Sequence, residues 1–144
     1  MAIKQISVFL ENKPGTLLKM TGVLAASNID MRALSLAETK DFGIVRMIVD
    51  DIYTATTALK YADFISSLTD VVAVLIPDEP GGLDKVLRVL NEAGVNIEYM
   101  YAFLGGKAVD DAYMIFRVGD TKAAETALKG KNITVVTQEE IAEL

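Results

Sequence analysis

The residues best suited to chemistry form one short stretch, Glu11-Asn12-Lys13-Pro14-Gly15-Thr16-Leu17, and its core occurs twice: Pro14-Gly15 recurs as Pro80-Gly81, 66 positions further on. Each copy follows a strand-like run and leads into an amphipathic helical pattern. Pro and Gly sit where a chain would turn, and the small Thr16 opens the helix. Such a turn leaves several backbone N–H groups unpaired at the positive end of a helix, a natural place to hold a carboxylate. A single Pro-Gly is ordinarily no more than a strand-to-helix turn. Its repetition raises it above that.

Other chemistry is poorly supplied. There is no Cys, which excludes disulfides, thiolate catalysis and cysteine metal sites. There is no His, which removes the commonest general base and the commonest transition-metal ligand. Lys and carboxylates remain, but no spacing sets a nucleophile beside a base. The pairs Asp110-Asp111 and Glu139-Glu140 read as solvated ends rather than as catalytic dyads. No enzyme activity, metal or cofactor is therefore expected. A net charge of −6 is a poor match to a phosphate backbone, so no nucleic-acid partner is expected either.

The elements that must position the turns can be followed along the chain. Its 144 residues, 51% apolar, suffice for one ordinary domain or two very small ones. No apolar run approaches the roughly 20 residues of a membrane helix. Met1-Ala2-Ile3-Lys4-Gln5 has neither a basic region nor a signal-type apolar core, and a cytoplasmic location without membrane attachment is expected. From Ile3 to Leu10 the pattern alternates, with Ile6, Val8 and Leu10 on one face and Gln5, Ser7 and Phe9 on the other. Leu17, Met20, Val23 and Leu24 then recur at helical spacing, and Asn28 suits a left-handed cap. A second strand is expected from about Asp30 to Ala37, a hairpin around Lys40-Asp41-Phe42-Gly43, and a third strand from Ile44 to Val49. Tyr53 to Tyr61 reads as a second helix and Phe64 to Leu68 as a short fourth strand.

From Asp70 the pattern begins again. The shift of 66 lays Leu17 on Leu83, Lys19 on Lys85, Val23 on Val89 and Leu24 on Leu90. It also lays Asn28-Ile29-Asp30-Met31 on Gly94-Val95-Asn96-Ile97, and Asn and Gly are the residues that best tolerate a helix-ending φ > 0. Past the hairpin the shift becomes 69, placing Asp51 on Asp120 and Ala55, Ala58 and Leu59 on Ala124, Ala127 and Leu128. The second hairpin, near Gly105-Gly106-Lys107, must hold the extra residues. The chain is a duplicated module, with halves at residues 1–69 and 70–144. Each half reads β-α-β-β-α-β, which right-handed crossovers fold into a four-stranded antiparallel sheet with both helices on one face, an α+β ferredoxin-like unit. The other sheet face then needs cover. In the second half it carries Tyr99, Tyr101, Phe103, Tyr113 and Ile115, an aromatic stripe expected to pack on another sheet or to line a ligand cavity.

Phe9 to Leu17, together with Val23-Leu24-Ala25-Ala26-Ser27-Asn28-Ile29-Asp30-Met31, resembles the opening of an ACT domain. Pro77-Asp78-Glu79-Pro80-Gly81-Gly82-Leu83 and Leu90-Asn91-Glu92-Ala93-Gly94-Val95-Asn96-Ile97 resemble it more closely still. The resemblance covers essentially the whole chain as two ACT domains without a catalytic domain. It implies a regulatory protein that binds a small molecule, most often an amino acid, at a domain–domain interface. Such a protein pairs as a homodimer or larger homo-oligomer and serves an enzyme of amino-acid metabolism. Carried over by position, the ligand residues at the turns are Asn12, Gly15, Thr16 and Leu17, with Asp78, Gly81, Gly82 and Leu83 in the second copy. At the start of the second strand they are Ile29, Asp30, Val95 and Asn96. In that scheme amides near Gly15 receive an α-carboxylate, Asn12 or Asp30 accepts from an α-ammonium, and Leu17 and Tyr99 enclose the side chain. The same residues also serve plain structure, Asn12 and Asp78 as Asx turns and Asp30 and Asn96 as strand ends. A ligand-free assembly subunit is the alternative. An RNA-binding sheet is a remoter one, opposed by the acidic balance.

Overall fold

Alternation makes the first strand. In β1 (Ile3–Glu11) Ile6, Val8 and Leu10 turn into a core, while Phe9 and Glu11 turn to the opposite face. The chain reverses at Pro14-Gly15 and enters α1 (Thr16–Ala26), which buries Met20 and Leu24 one turn apart. Then come β2 (Met31–Glu38), β3 (Phe42–Val49), α2 (Ile52–Tyr61) and β4 (Ile65–Pro77). The second half adds α3 (Gly82–Glu92), β5 (Ile97–Ala102), β6 (Asp111–Val118), α4 (Thr121–Gly130), β7 (Thr134–Val136) and α5 (Gln138–Glu143). The computed structural model describes residues 3–38, 40–102 and 110–144. Phe103 and the hairpin segment Gly105-Gly106-Lys107 lie outside them. Among the described residues no helix is long and apolar enough to cross a membrane.

Two compact units result, Lys4–Thr69 and Asp70–Leu144, the latter joined by Ile3. In the first, β1 has β3 on one side and β4 on the other, with β2 outside β3; the β1–β3 and β2–β3 pairs are antiparallel. In the second, β4 lies between β6 and β7 with β5 outside β6, all antiparallel. Each unit is thus a ferredoxin-like α+β module. The two cores are copies. Ile6, Val8, Leu10, Met20 and Leu24 form the first with Val45, Met47, Val49, Ala55 and Leu59. Their equivalents Val72, Val74, Ile76, Val86 and Leu90, with Met114, Phe116, Val118, Ala124 and Leu128, form the second. Because the same cluster holds alternate strand residues and both helices, the two helices of each unit share one sheet face.

All four long helices end alike. Asn28, Asp63, Gly94 and Asn132 take left-handed φ of 57°, 66°, 71° and 59°. The next residue (Ile29, Phe64, Val95 or Ile133) donates its N–H five residues back, to the carbonyl of Leu24, Leu59, Leu90 or Leu128. This is the Schellman motif, and the residue after each cap packs on the core cluster that holds the buried leucine. The starts of α2 and α4 are also matched: Asp51 and Asp120 accept the backbone N–H of Thr54 and Ala123 at 3.1 and 3.0 Å.

Two elements differ from the sequence expectation. The fourth strand does not stop at Leu68; β4 runs unbroken for 13 residues and serves both units. No Gly or Pro interrupts it before Pro77, and Val71-Val72-Ala73-Val74 favours extended backbone. The last residues form α5, whose Thr137 hydroxyl oxygen accepts the Glu140 N–H at 3.2 Å. Thr137 and Glu140 stand at capping-box spacing, a signal legible in the sequence. On the face away from the helices, Tyr101 and Ile115 pair across β5 and β6 and are buried, while Tyr99 and Tyr113 are half-buried. Gln5 and Ser7 are buried as well, the Gln5 amide donating to the Ser7 hydroxyl at 3.1 Å.

Candidate functional site

Gly15 caps α1 from the left-handed region (φ 92°), and Gly81 caps α3 in the same way (φ 87°). A side chain would be strained at either position, and a glycine cap supplies no oxygen to the first helical N–H groups. Thr16 N–H reaches back to the Lys13 carbonyl at 3.5 Å, a long bond. Among the described residues none accepts from the N–H of Gly15 or Leu17. The turn therefore keeps donors available at a helix start.

Of these, Gly15 borders an open hollow of about 570 Å³ in the first unit. Gly15 and Thr16 form one wall, with Lys13 and Lys19 beside them. Phe9, Phe42, Phe64 and Ile65 supply apolar surface, and Glu11 and Asp63 add negative charge. The pairing Glu11↔Phe42 puts Phe42 on the same sheet face as Phe9, away from the helices. Phe64 packs on the helix-side core, and the Lys19 ammonium stands 5.9 Å from its ring centroid. The hollow thus wraps over the end of the sheet. Lys13 is held by Glu11 at 3.0 Å, an exposed pair of little energetic weight. Among the described residues no carboxylate forms an ion pair with Lys19.

The second unit repeats the hollow at about 230 Å³, lined by Leu75, Pro77, Gly82, Lys85, Asp111, Ile133 and Thr134, among others. The turns differ in detail. A Cβ at Gly82 would collide with the Pro77 carbonyl oxygen. In the first unit Thr16 stands at that position, and its hydroxyl is within donating distance of the equivalent carbonyl, Glu11, at 2.8 Å and of Lys13 at 3.0 Å. Asn12 and Asp78 face the hairpins: their N–H groups donate to the Asp41 and Asp110 carbonyls at 3.0 Å. The Asn12 amide also donates to Glu38 at 3.4 Å. Neither lines its hollow, nor do Leu17, Gly81 or Leu83.

The strand starts lie elsewhere. Leu10 pairs with Gly43 at one end of β3, whereas Met31 pairs with Val49 at the other, six residues and about 20 Å away. Within the first unit Gly15 and Asp30 therefore do not meet. Asp30 is occupied locally: its N–H donates to the Asp50 carboxylate at 3.0 Å, and its own carboxylate accepts from Arg32 at 2.7 Å. Arg32 sits at a register shift between Met31 and Ala33, and Glu98 at the equivalent shift between Ile97 and Tyr99. A bulge of this kind re-aims a side chain, and no residue type announced it. Val95 and Asn96 border a separate hollow of about 520 Å³ with Glu98 and Asp120. Tyr99 and Ile29 do not line it, Tyr99 standing opposite Arg117 and Ile29 packing on the first core.

Sequence reasoning passed over the walls of the first hollow. The repeat aligns Lys19 with Lys85, which was the available signal for a shared role. Nothing local brings Phe42 and Phe64 to the turn, because only strand pairing does so.

A family model for an ACT domain pair matches residues 1–144. Protein BT0572 from Bacteroides thetaiotaomicron, known from a crystal structure, is 41% identical; the match covers 100% of this chain and 98% of that one, with a TM-score of 0.93. The ligand-free regulatory subunit of aspartate kinase from Thermus thermophilus is 19% identical over 92% of each chain, with a TM-score of 0.66. The corresponding subunit from Thermus flavus is 18% identical over 90% of this chain and 92% of its own, with a TM-score of 0.61. These two share the fold. No curated protein sequence matches the chain.

Proposed function

Because the chain belongs to the ACT domain family, as an ACT domain pair, we propose that it is a regulatory protein that binds an amino acid or a similar small carboxylate. The observation that carries this is the hollow at Gly15: N–H donors at a helix start, Lys19, and apolar walls within one cavity. Those groups suit a carboxylate with an organic tail. The hollow beside Val95 and Asn96, with Glu98 and Asp120, suits an ammonium. Gly15 and Asp30 stand at opposite ends of their own sheet. The turn is therefore completed by the strand start of another ACT domain, supplied by a second copy of the chain in a homodimer or larger homo-oligomer. Ligand occupancy at that interface is passed to a partner, an enzyme of amino-acid metabolism. The fold shared with the aspartate kinase regulatory subunits supports a partner of this kind.

Thermal-shift and calorimetric titration against the twenty amino acids tests the proposal. A ligand at a hundred times its Kd stabilises the folded state by about 2.7 kcal/mol, a readily measured shift. No response to any of them at millimolar concentration would sink it. The second candidate role, a ligand-free assembly subunit, is favoured by the helix layer of the first unit, where Tyr53, Tyr61 and Leu18 are 81%, 91% and 76% exposed. At the equivalent positions the second unit carries Lys122, Gly130 and Asp84. Sedimentation that shows a stable oligomer with no ligand response would select that role.

A further inference from the structure

We propose that the first hollow selects an aryl carboxylate, an aromatic amino acid or its deaminated acid, and that the second hollow does not. The proposal rests on the ligand-binding function above and names the ligand class. The duplication provides an internal comparison. Both hollows lie at the start of a helix capped by a left-handed glycine and keep the lysine, Lys19 or Lys85, though Gly15 itself lines the first and Gly82 rather than Gly81 lines the second. They differ in their walls. Phe9, Phe42 and Phe64 of the first correspond to Leu75, Asp111 and Ile133 of the second, and the strand pairings Glu11↔Phe42 and Pro77↔Asp111 fix the match. The fold therefore does not require the phenylalanines, since the second unit builds the same elements without them.

Three of the five Phe in the chain line this one hollow, and Phe9 and Phe42 are 45% and 56% exposed. Aromatic surface left open on a small domain is unfavourable unless something covers it. A flat ring laid against Phe9 and Phe42 recovers that surface, while its carboxylate reaches the N–H of Gly15 and the ammonium of Lys19. The hollow, at about 570 Å³ against 230 Å³ in the second unit, has room for such a ligand.

The test is isothermal titration of the intact chain with phenylalanine, 3-phenylpropanoate, leucine and threonine. At least one of the two aryl compounds is expected to bind tenfold or more tightly than leucine and threonine. Replacing the three walls by the residues the second unit uses (Phe9→Leu, Phe42→Asp, Phe64→Ile) is expected to abolish that preference, with folding checked by circular dichroism. Should the triple variant unfold, Phe42→Leu alone is expected to weaken aryl binding at least threefold and leave leucine unaffected. Binding of both phenylalanine and 3-phenylpropanoate no tighter than that of leucine and threonine would overturn the aryl assignment and leave the ligand-binding function standing. Absence of binding by all twenty amino acids and 3-phenylpropanoate would remove both.

Discussion

Gly15 and Thr16 meet separate demands at the same turn. Gly15 supplies a backbone angle that an L side chain resists, and nothing lies within 4 Å of where its Cβ would stand. Gly15→Ala therefore acts through the backbone alone and is expected to lower stability by about 1–2 kcal/mol in urea titration. It should also weaken carboxylate binding, because relieving the strain turns the N–H groups away from the hollow. Asp51 offers a pH readout. The Thr54 hydroxyl at 2.7 Å and then the Thr54 N–H at 3.1 Å hold its carboxyl below the usual carboxylate range. A depressed folded-state value stabilises the protein above the unfolded value, near 4, and that contribution is lost as pH falls through the folded one. Melting curves between about pH 6 and 2 are expected to lose less stability with acid in Asp51→Asn than in the parent chain. The glycine and the asparagine cap at Asn28 were legible because tolerance of positive φ belongs to the residue type itself. The roles of Phe42 and Phe64 were not, since they arise from pairing between distant segments.

At the scale of elements, the four helix ends show how far local signals reach. Each combines a buried leucine, a left-handed residue and an apolar residue after it, so all four could have been found by spacing alone. Asp63 and Asn132 escaped notice because Asp and Asn also fit ordinary turns. Asp63 holds a conformation that glycine adopts without strain, and Asp63→Gly is expected to raise stability by up to about 1 kcal/mol, read as a higher urea midpoint. α5 carried its capping signal in plain view. β4 did not: a repeat boundary looks like a break in the sequence, yet the backbone needs none where extended-favouring residues run across it.

For the whole molecule, duplication explains both what is repeated and what diverges. All ten residues of the first core have counterparts at the same places in the second unit, so the two halves fold by the same pattern of burial. The hollows and the outward helix faces diverge, where packing leaves residue choice open. The continuous strand β4 adds a constraint of another kind. Side chains along it alternate with period two, and Val72, Val74 and Ile76 must fall on the core side. The stretch from Val72 to Ile76 therefore has a parity. One alanine inserted between Val72 and Ala73 would send Ala73 and Leu75 toward the helices and Val74 and Ile76 away from them, and is expected to abolish the cooperative melt of the second unit. Two inserted alanines restore the phase and are expected to spare most of it, as circular dichroism melts of the two variants would show. Insertions within this stretch are tolerated in even steps, a counting rule written into the gene by the geometry of a pleat.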